Sequence, residues 1–172
     1  EMLSEMIQKG FKFDMLLLSG GVSEGDFDLV PRMLERHGVL KVFHKVSMKP
    51  GKPLFFGVKG RTLVFGIPGN PVSNLIAFKL FIEPALRKMS GGGEDIALDK
   101  GALLRGFAQK PGRTHFVPVT IISGDGVFHV ETLSGYHGSA DIFSAAGSDG
   151  FMVVEPDVKH LKAGSKVRFL RW

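Results

Sequence analysis

Three times between Ser19 and Ser73 an apolar, strand-like run breaks directly into a stretch rich in glycine or proline and polar residues. The stretches are Ser-Gly-Gly-Val-Ser-Glu-Gly-Asp-Phe-Asp (19–28), Lys-Pro-Gly-Lys-Pro (49–53) and Gly-Ile-Pro-Gly-Asn-Pro-Val-Ser (66–73). A strand buried on both faces reads as an apolar run bounded by turn residues, as Asp14–Leu18 does. In an open α/β sheet, the loops at the carboxyl ends of such strands are where ligands bind. Glycine lets the backbone approach a ligand, carboxylates hold Mg²⁺, and lysines neutralise phosphate or oxyanion charge. Together the three loops predict a site for a phosphorylated, metal-assisted substrate.

The flanking sequence supplies the frame. Residues 2–9 carry the periodicity of an amphipathic helix ending at Gly10. Asp28 is placed to cap a helix over Leu29–His37, with Pro31 in its first turn and Gly38 closing it. Leu40–Val46 reads as a strand of imperfect alternation, and Lys59-Gly60-Arg61 between Leu54–Val58 and Thr62–Gly66 is a hairpin signal. Helical periodicity runs from Val72 to Met89, and Pro84 predicts a kink or a division within it. Strands alternating with helices predict an α/β fold with a mostly parallel sheet. This half reads as lacking an upstream strand and helix, so that a partner or second chain would cover its exposed apolar edge. Ser90-Gly91-Gly92-Gly93 is the clearest linker. Beyond it, Phe116–Ile122, Val127–Leu133, Phe151–Glu155 and Lys166–Leu170, with a short helix near Asp141–Ala146, predict a small β-barrel. The expected organisation is an α/β domain over 1–89, a linker over 90–95 and a barrel over 96–172.

Charge narrows the classes of function. The net charge is +5, and residues 1–90 hold 13 Lys/Arg against 8 Asp/Glu, while residues 91–172 balance at 9 and 9. Lys41, Lys45, Lys49 and Lys52 fall within 12 residues. A basic half suits an anionic partner. The lysines are not interleaved with aromatics as a stacking platform requires, which argues for a small anion and against nucleic acid. No apolar run approaches the ~18 residues of a spanning helix, so no membrane role is expected. The absence of cysteine removes disulfides and thiolate metal sites and fits a cytoplasmic protein.

Within the first loop, Gly20, Gly21 and Gly25 form a cradle for an anion, bordered by Ser23 and by the acids Glu24, Asp26 and Asp28. A helix cap uses one acid; three beside a phosphate loop point to bound Mg²⁺, with Asp28 the metal candidate. Lys45 and Lys49 stand four positions apart, and Lys49 and Lys52 bracket a rigid Pro50-Gly51 turn. Pro68, Gly69, Asn70 and Pro71 form a second stiff turn leading into a helix that opens with Val72 and Ser73. In the second half, Lys110-Pro111-Gly112-Arg113 projects a guanidinium ahead of His115, and the polar loop 135–141 contains Ser139. The six histidines show no zinc-like spacing, and no Ser-His-Asp ordering or nucleophile elbow is present.

With these residues in view, the chain resembles the C-terminal half of the molybdopterin molybdenumtransferase family, which includes the gephyrin E-domain. The three loop motifs stand in the family's order, and Gly138-Ser139-Ala140-Asp141 followed by Ala145-Ala146-Gly147-Ser148-Asp149-Gly150 resembles its C-terminal signature. The resemblance implies a molybdopterin-binding α/β domain followed by a barrel. It implies molybdenum cofactor biosynthesis, in which molybdate is inserted into adenylylated molybdopterin with Mg²⁺-dependent release of AMP. It implies catalytic roles for Asp28, Lys45 and Lys49, with Asp28 at the metal. Gly20, Gly21, Ser23, Asp26, Lys52, Pro68, Gly69, Asn70, Pro71, Ser73, Arg113 and Ser139 would bind substrate. The implied partners are a small-molecule pterin nucleotide, a second copy in a full-length homodimer and the upstream molybdopterin adenylyltransferase. A non-catalytic pterin-binding or scaffold module of the gephyrin type is the alternative.

Overall fold

The first sheet of the computed structural model, which describes residues 2–23, 29–93, 95–124 and 126–172, has four strands. Their order is β1 (Met15–Ser19), β5 (Thr62–Ile67), β4 (Phe55–Lys59) and β2 (Leu40–His44). β1 and β5 run parallel, whereas β5 with β4 and β4 with β2 run antiparallel. The α/β class is as expected, and the sheet is mixed, with β1–β5 its parallel pair among the described strands. Gly60 and Arg61 alone join β4 to β5, and a two-residue turn can connect only antiparallel neighbours. In β2 the register slips between Lys41 and Phe43, leaving Val42 as an exposed extra residue. That bulge is the source of the imperfect alternation in the sequence.

Successive side chains of β4 and β5 supply both faces of the sheet. Phe55 and Val64 join Ile7 of α1 (Met2–Gly10) and Leu34 of α2 (Val30–Arg36) in one apolar cluster. Phe65 and Ile67 join Val72 and Ile76 of α3 (Pro71–Ala77) in another. Leu29 occupies the N-cap of α2 without a side-chain cap bond; the expected cap Asp28 lies outside the described residues. The long helix predicted over Val72–Met89 is divided into α3, a π-helical turn (Phe78–Ile82) and α4 (Glu83–Met89). Pro84 has no N–H to donate and its ring crowds the carbonyl four residues earlier, so the helix widens before it. No helix among the described residues is long and apolar enough to cross a membrane.

The second half closes on itself. The barrel strands are β6 (Asp99–Leu103), β8 (Thr114–Gly124), β9 (Val127–Thr132), β10 (Gly150–Val154) and β12 (Lys166–Arg171). The ring runs β8-β9-β6-β12-β10 and returns to β8. Val119, Val130, Met152 and Phe169 fill it. A two-stranded ladder, β7 (Phe107–Ala108) with β11 (His160–Leu161), and the short helix α5 (Ile142–Ala146) complete this half.

One connection sets the placement of the site. Met48–Lys49 forms a short strand, β3, which leaves the α/β half and pairs in parallel with β8, Met48 opposite Thr114 and Lys49 opposite His115. The predicted turn at 49–53 thus begins in a barrel ladder. Behind it Met48, Leu54 and Ile76 share one buried cluster with Phe116, Phe151 and Leu170 of the barrel. Phe151 is fully buried and meets Trp172 edge to face, ring centroids 4.6 Å apart. Phe151→Ala should lower stability by about 3–5 kcal/mol, read as a shifted urea midpoint. A loss under about 1 kcal/mol would show that the shared cluster collapses without cost.

Candidate anion-binding site

The loop after β2 is folded tightly on its own backbone. Lys45 N–H donates to Leu54 O (2.8 Å), and Lys52 O accepts from both Val46 N–H (3.0 Å) and Leu54 N–H (2.9 Å). Lys45 adopts φ 78°, in the left-handed region that a non-glycine residue rarely occupies. Gly51 adopts φ 98°, and a Cβ there would stand 2.6 Å from Met48 Cε. Glycine at 51 is therefore required for the turn that carries Lys49 and Lys52.

The other loops brace one another. Gly20 N–H donates to Ile67 O (2.9 Å), and a Cβ on Gly69 would stand 3.4 Å from Gly20 Cα, so the loops after β1 and β5 lie side by side. Asn74 Nδ2 donates to Ser19 Oγ (3.0 Å), tying α3 to the end of β1. Asn70 sits at the N-cap of α3, yet its side chain makes no cap bond; Nδ2 donates instead to Ser139 Oγ (2.9 Å). Ser139 O accepts from Val72 N–H (3.0 Å). The barrel loop is thereby fastened to the helix start.

Between these loops and the barrel mouth lies a cavity of about 690 Å³. Its lining includes Lys49, Lys52, Pro68, Asn70, Ser73, Lys110, Arg113, His115, Tyr136 and Ser139. Four cations and no carboxylate line it among the described residues. Arg113 Nη1 also donates to Met48 O (3.4 Å) across the joint. A second cavity of about 320 Å³, lined by Gly20, Gly21, Ser23 and Gly69, shares Pro53, Pro68 and Asn70 with the first.

His115 is the unusual member. Its Nδ1 lies 2.9 Å from Gln109 Oε1, and its ring is 5.9 Å from that of Phe107. Burial, then the charges of Lys49 and Arg113, pull its pKa down to about 4. The imidazole is therefore neutral at neutral pH. Tyr136 is pushed up to about 12 by burial and by the Asp141 carboxylate, so it stays a phenol.

The cavity gathers Lys49, Lys52, Pro68, Asn70, Ser73, Arg113 and Ser139 from the residues singled out in the sequence. Gly20, Gly21, Ser23 and Gly69 line the adjoining one. Lys45 and Pro71 line neither; Lys45 is half-buried at the loop's start and Pro71 is the first residue of α3. Asp26 and Asp28 lie outside the described residues, and among those described no three His, Cys, Asp or Glu side chains gather to hold a metal. His115 and Tyr136, which lie in the polar segments of the second half but carry no role from sequence, join the cavity, and the bracing Gln109 and Asn74 have no sequence signal. The alternation of His115 and Val117 along β8, directly after the Arg113 turn, is the signal that marks His115.

This fold and site define a class: a mixed α/β unit joined to a small closed barrel, with a cationic cavity between them. Residues 1–88 match the family model "Probable molybdopterin binding domain", and residues 100–172 match "MoeA C-terminal region (domain IV)". The chain belongs to the molybdopterin-binding domain family, as found in molybdopterin molybdenumtransferases. It is 32% identical over 164 residues to the molybdopterin molybdenumtransferase of Synechocystis sp., covering 94% of this chain and 39% of that protein. It is 46% identical over 98 residues to gephyrin of Dictyostelium discoideum, covering 48% of this chain and 14% of that protein. The crystal structure of a molybdopterin biosynthesis MoeA protein from Pyrococcus horikosii superposes with a TM-score of 0.80 at 28% identity, covering 99% of this chain and 40% of that one. The chain thus spans less than half the length of these relatives.

The state of His115 has a consequence for stability. Its folded pKa lies below the ordinary value of 6.5. As pH falls from about 6.5 towards 4, the unfolded chain takes a proton that the folded chain refuses, so His115 contributes a loss of stability in that window. Thermal melts across it should show a steeper decline for the wild type than for His115→Gln. Equal slopes would mean that His115 is not held neutral.

Proposed function

We propose that this chain forms part of an enzyme that inserts molybdate into adenylylated molybdopterin, with Mg²⁺-dependent release of AMP. The observation that supports it is the cavity itself: Lys49, Lys52, Lys110 and Arg113 converge at the rim of a family-typical α/β unit, with no described carboxylate opposing them. Molybdate and the adenylyl phosphate are both anions, and lysine and arginine suit them as a point charge and a planar fork respectively. In a partly enclosed site such cations stabilise charge that develops as the phosphoanhydride breaks and AMP leaves. Ser73, and the paired Asn70 and Ser139, supply neutral hydrogen-bonding groups beside them.

Lys49 is assigned to the reacting anion, with Lys52 and Arg113 flanking it. Lys45 supports the loop that presents them, through the Lys45–Leu54 backbone bond. Mg²⁺ enters this reading only through Asp28; among the described residues no three His, Cys, Asp or Glu side chains gather to hold a metal. The same reading extends to a full-length homodimer in the cytoplasm that receives its pterin nucleotide from the adenylyltransferase.

In the full-length protein, Lys49→Ala should reduce molybdate-dependent AMP release by about a hundredfold or more. Unchanged release would remove Lys49 from the chemistry. Likeness to gephyrin across 48% of the chain supports a second reading, a non-catalytic binding module. Molybdopterin bound by the wild type without any insertion would decide for that module.

A further inference from the structure

We propose that the cationic cavity binds an oxyanion together with one proton, and that His115 is the group that receives the proton. This deepens the anion-binding part of the function proposed above and rests on it.

The inference begins with Gln109. Its Nε2 donates to Glu155 O (3.1 Å) and Val158 O (3.0 Å). Two carbonyls at Nε2 fix the amide orientation, so Oε1 faces His115 and must accept from Nδ1–H. The neutral ring therefore keeps its lone pair on Nε2, which has no hydrogen-bond partner among the described residues. Gln109 is itself immobilised, its backbone N–H donating to Lys159 O (2.9 Å). The tautomer is set by the fold.

Strand register then places cations beside this acceptor. Lys49 is directly opposite His115 in the β3–β8 pairing, and Arg113, in the turn just before β8, lines the same cavity. An oxyanion held by Lys49 and Arg113 meets the lone pair of His115. Two acceptors facing one another repel; with a proton between them the contact becomes a charge-assisted hydrogen bond.

The surrounding charges favour this coupling. The loop beyond β3 contributes Lys52, the turn before β8 contributes Lys110, and the segment after β9 contributes the neutral Tyr136 hydroxyl. Neighbouring acids are engaged elsewhere: Glu155 pairs with Arg168, and Asp141 accepts from His137 N–H (3.0 Å). Burial first, and then the cations of the free site, keep His115 neutral; a bound dianion reverses the sign of the field. Near-complete protonation at pH ~7 requires the anion to favour imidazolium by about ten-thousandfold. A dianion within ~4 Å of a half-buried ring is of that order.

The test is calorimetric titration of this chain with sulfate and with molybdate, both proton-free dianions near pH ~7, in buffers of different ionisation heat. The expected result is uptake of about one proton per anion, with affinity falling about tenfold for each unit of pH rise. Hydrogen phosphate, which brings its own proton, should show less uptake. His115→Gln and His115→Phe, checked for folding by circular dichroism, should bind the anions more weakly near pH ~7, with neither the uptake nor the pH dependence. Anion binding without uptake in the wild type, equal uptake in both variants, or no anion binding at all would overturn the proposal. Loss of AMP release with uptake intact would instead sink the enzymatic reading and leave this one standing.

Discussion

The parallel pairing of Met48–Lys49 with Thr114–His115 brings the loops of the α/β half to the mouth of the barrel. Two residues of ladder contribute little by themselves, since each backbone hydrogen bond adds only about 0.5–1.5 kcal/mol net. Most of the adhesion comes from the apolar cluster behind it, where Ile76, Leu54, Phe151 and Leu170 are all buried. The ladder's contribution is register. A slip of one residue would turn Lys49 to the opposite face and separate it from His115 and Arg113. Packing holds the halves together, and pairing decides which side chains face each other.

That arrangement concentrates like charges. Lys49, Lys52, Lys110 and Arg113 around one cavity repel one another more strongly than the same groups dispersed on the surface, because a partly enclosed site is less screened. The rest of the loop structure offsets this. Lys52 O takes two backbone donors, Asn70 reaches across to Ser139, and Asn74 reaches to Ser19. Stored repulsion of this kind is a stability cost that an anionic ligand relieves, the usual exchange between stability and function at a site.

Much of this was legible in sequence where local physics dominates. Apolar runs ending in glycine–proline loops located β1 and β5, Gly60 located the hairpin, and Pro84 located the break between α3 and α4. What escaped depends on partners distant in the chain. A two-residue strand such as Met48–Lys49 has no period to detect, and its partner lies more than sixty residues away. The spacing of Lys45 and Lys49 suggested a pair, but residues four apart meet side by side only on a helix. Here the positive φ of Lys45 and the Met48–Val46 backbone bond (2.8 Å) turn the chain between them, and only Lys49 lines the large cavity. His115 was passed over because a lone histidine in a strand carries no signal until Gln109, Lys49 and Arg113 are placed around it.

The two adjoining cavities bear on the shape of the ligand. The larger is cationic, while the smaller is lined by glycine backbone, Ser23 and proline, and they meet at Pro53, Pro68 and Asn70. Glycine-lined surface admits close backbone approach and offers N–H groups without net charge. A ligand spanning both would place its charged atoms against Lys49 and Arg113 and a less charged portion against the loop after β1. A compact anion uses only the first. An elongated molecule with one anionic end matches the division of chemistry along the cleft, and the rigid Pro68–Pro71 turn at the junction keeps the two regions at a fixed separation. On the anion-binding reading, discrimination between such ligands and free oxyanions would lie in the glycine-lined part, and the cationic part would set affinity for both.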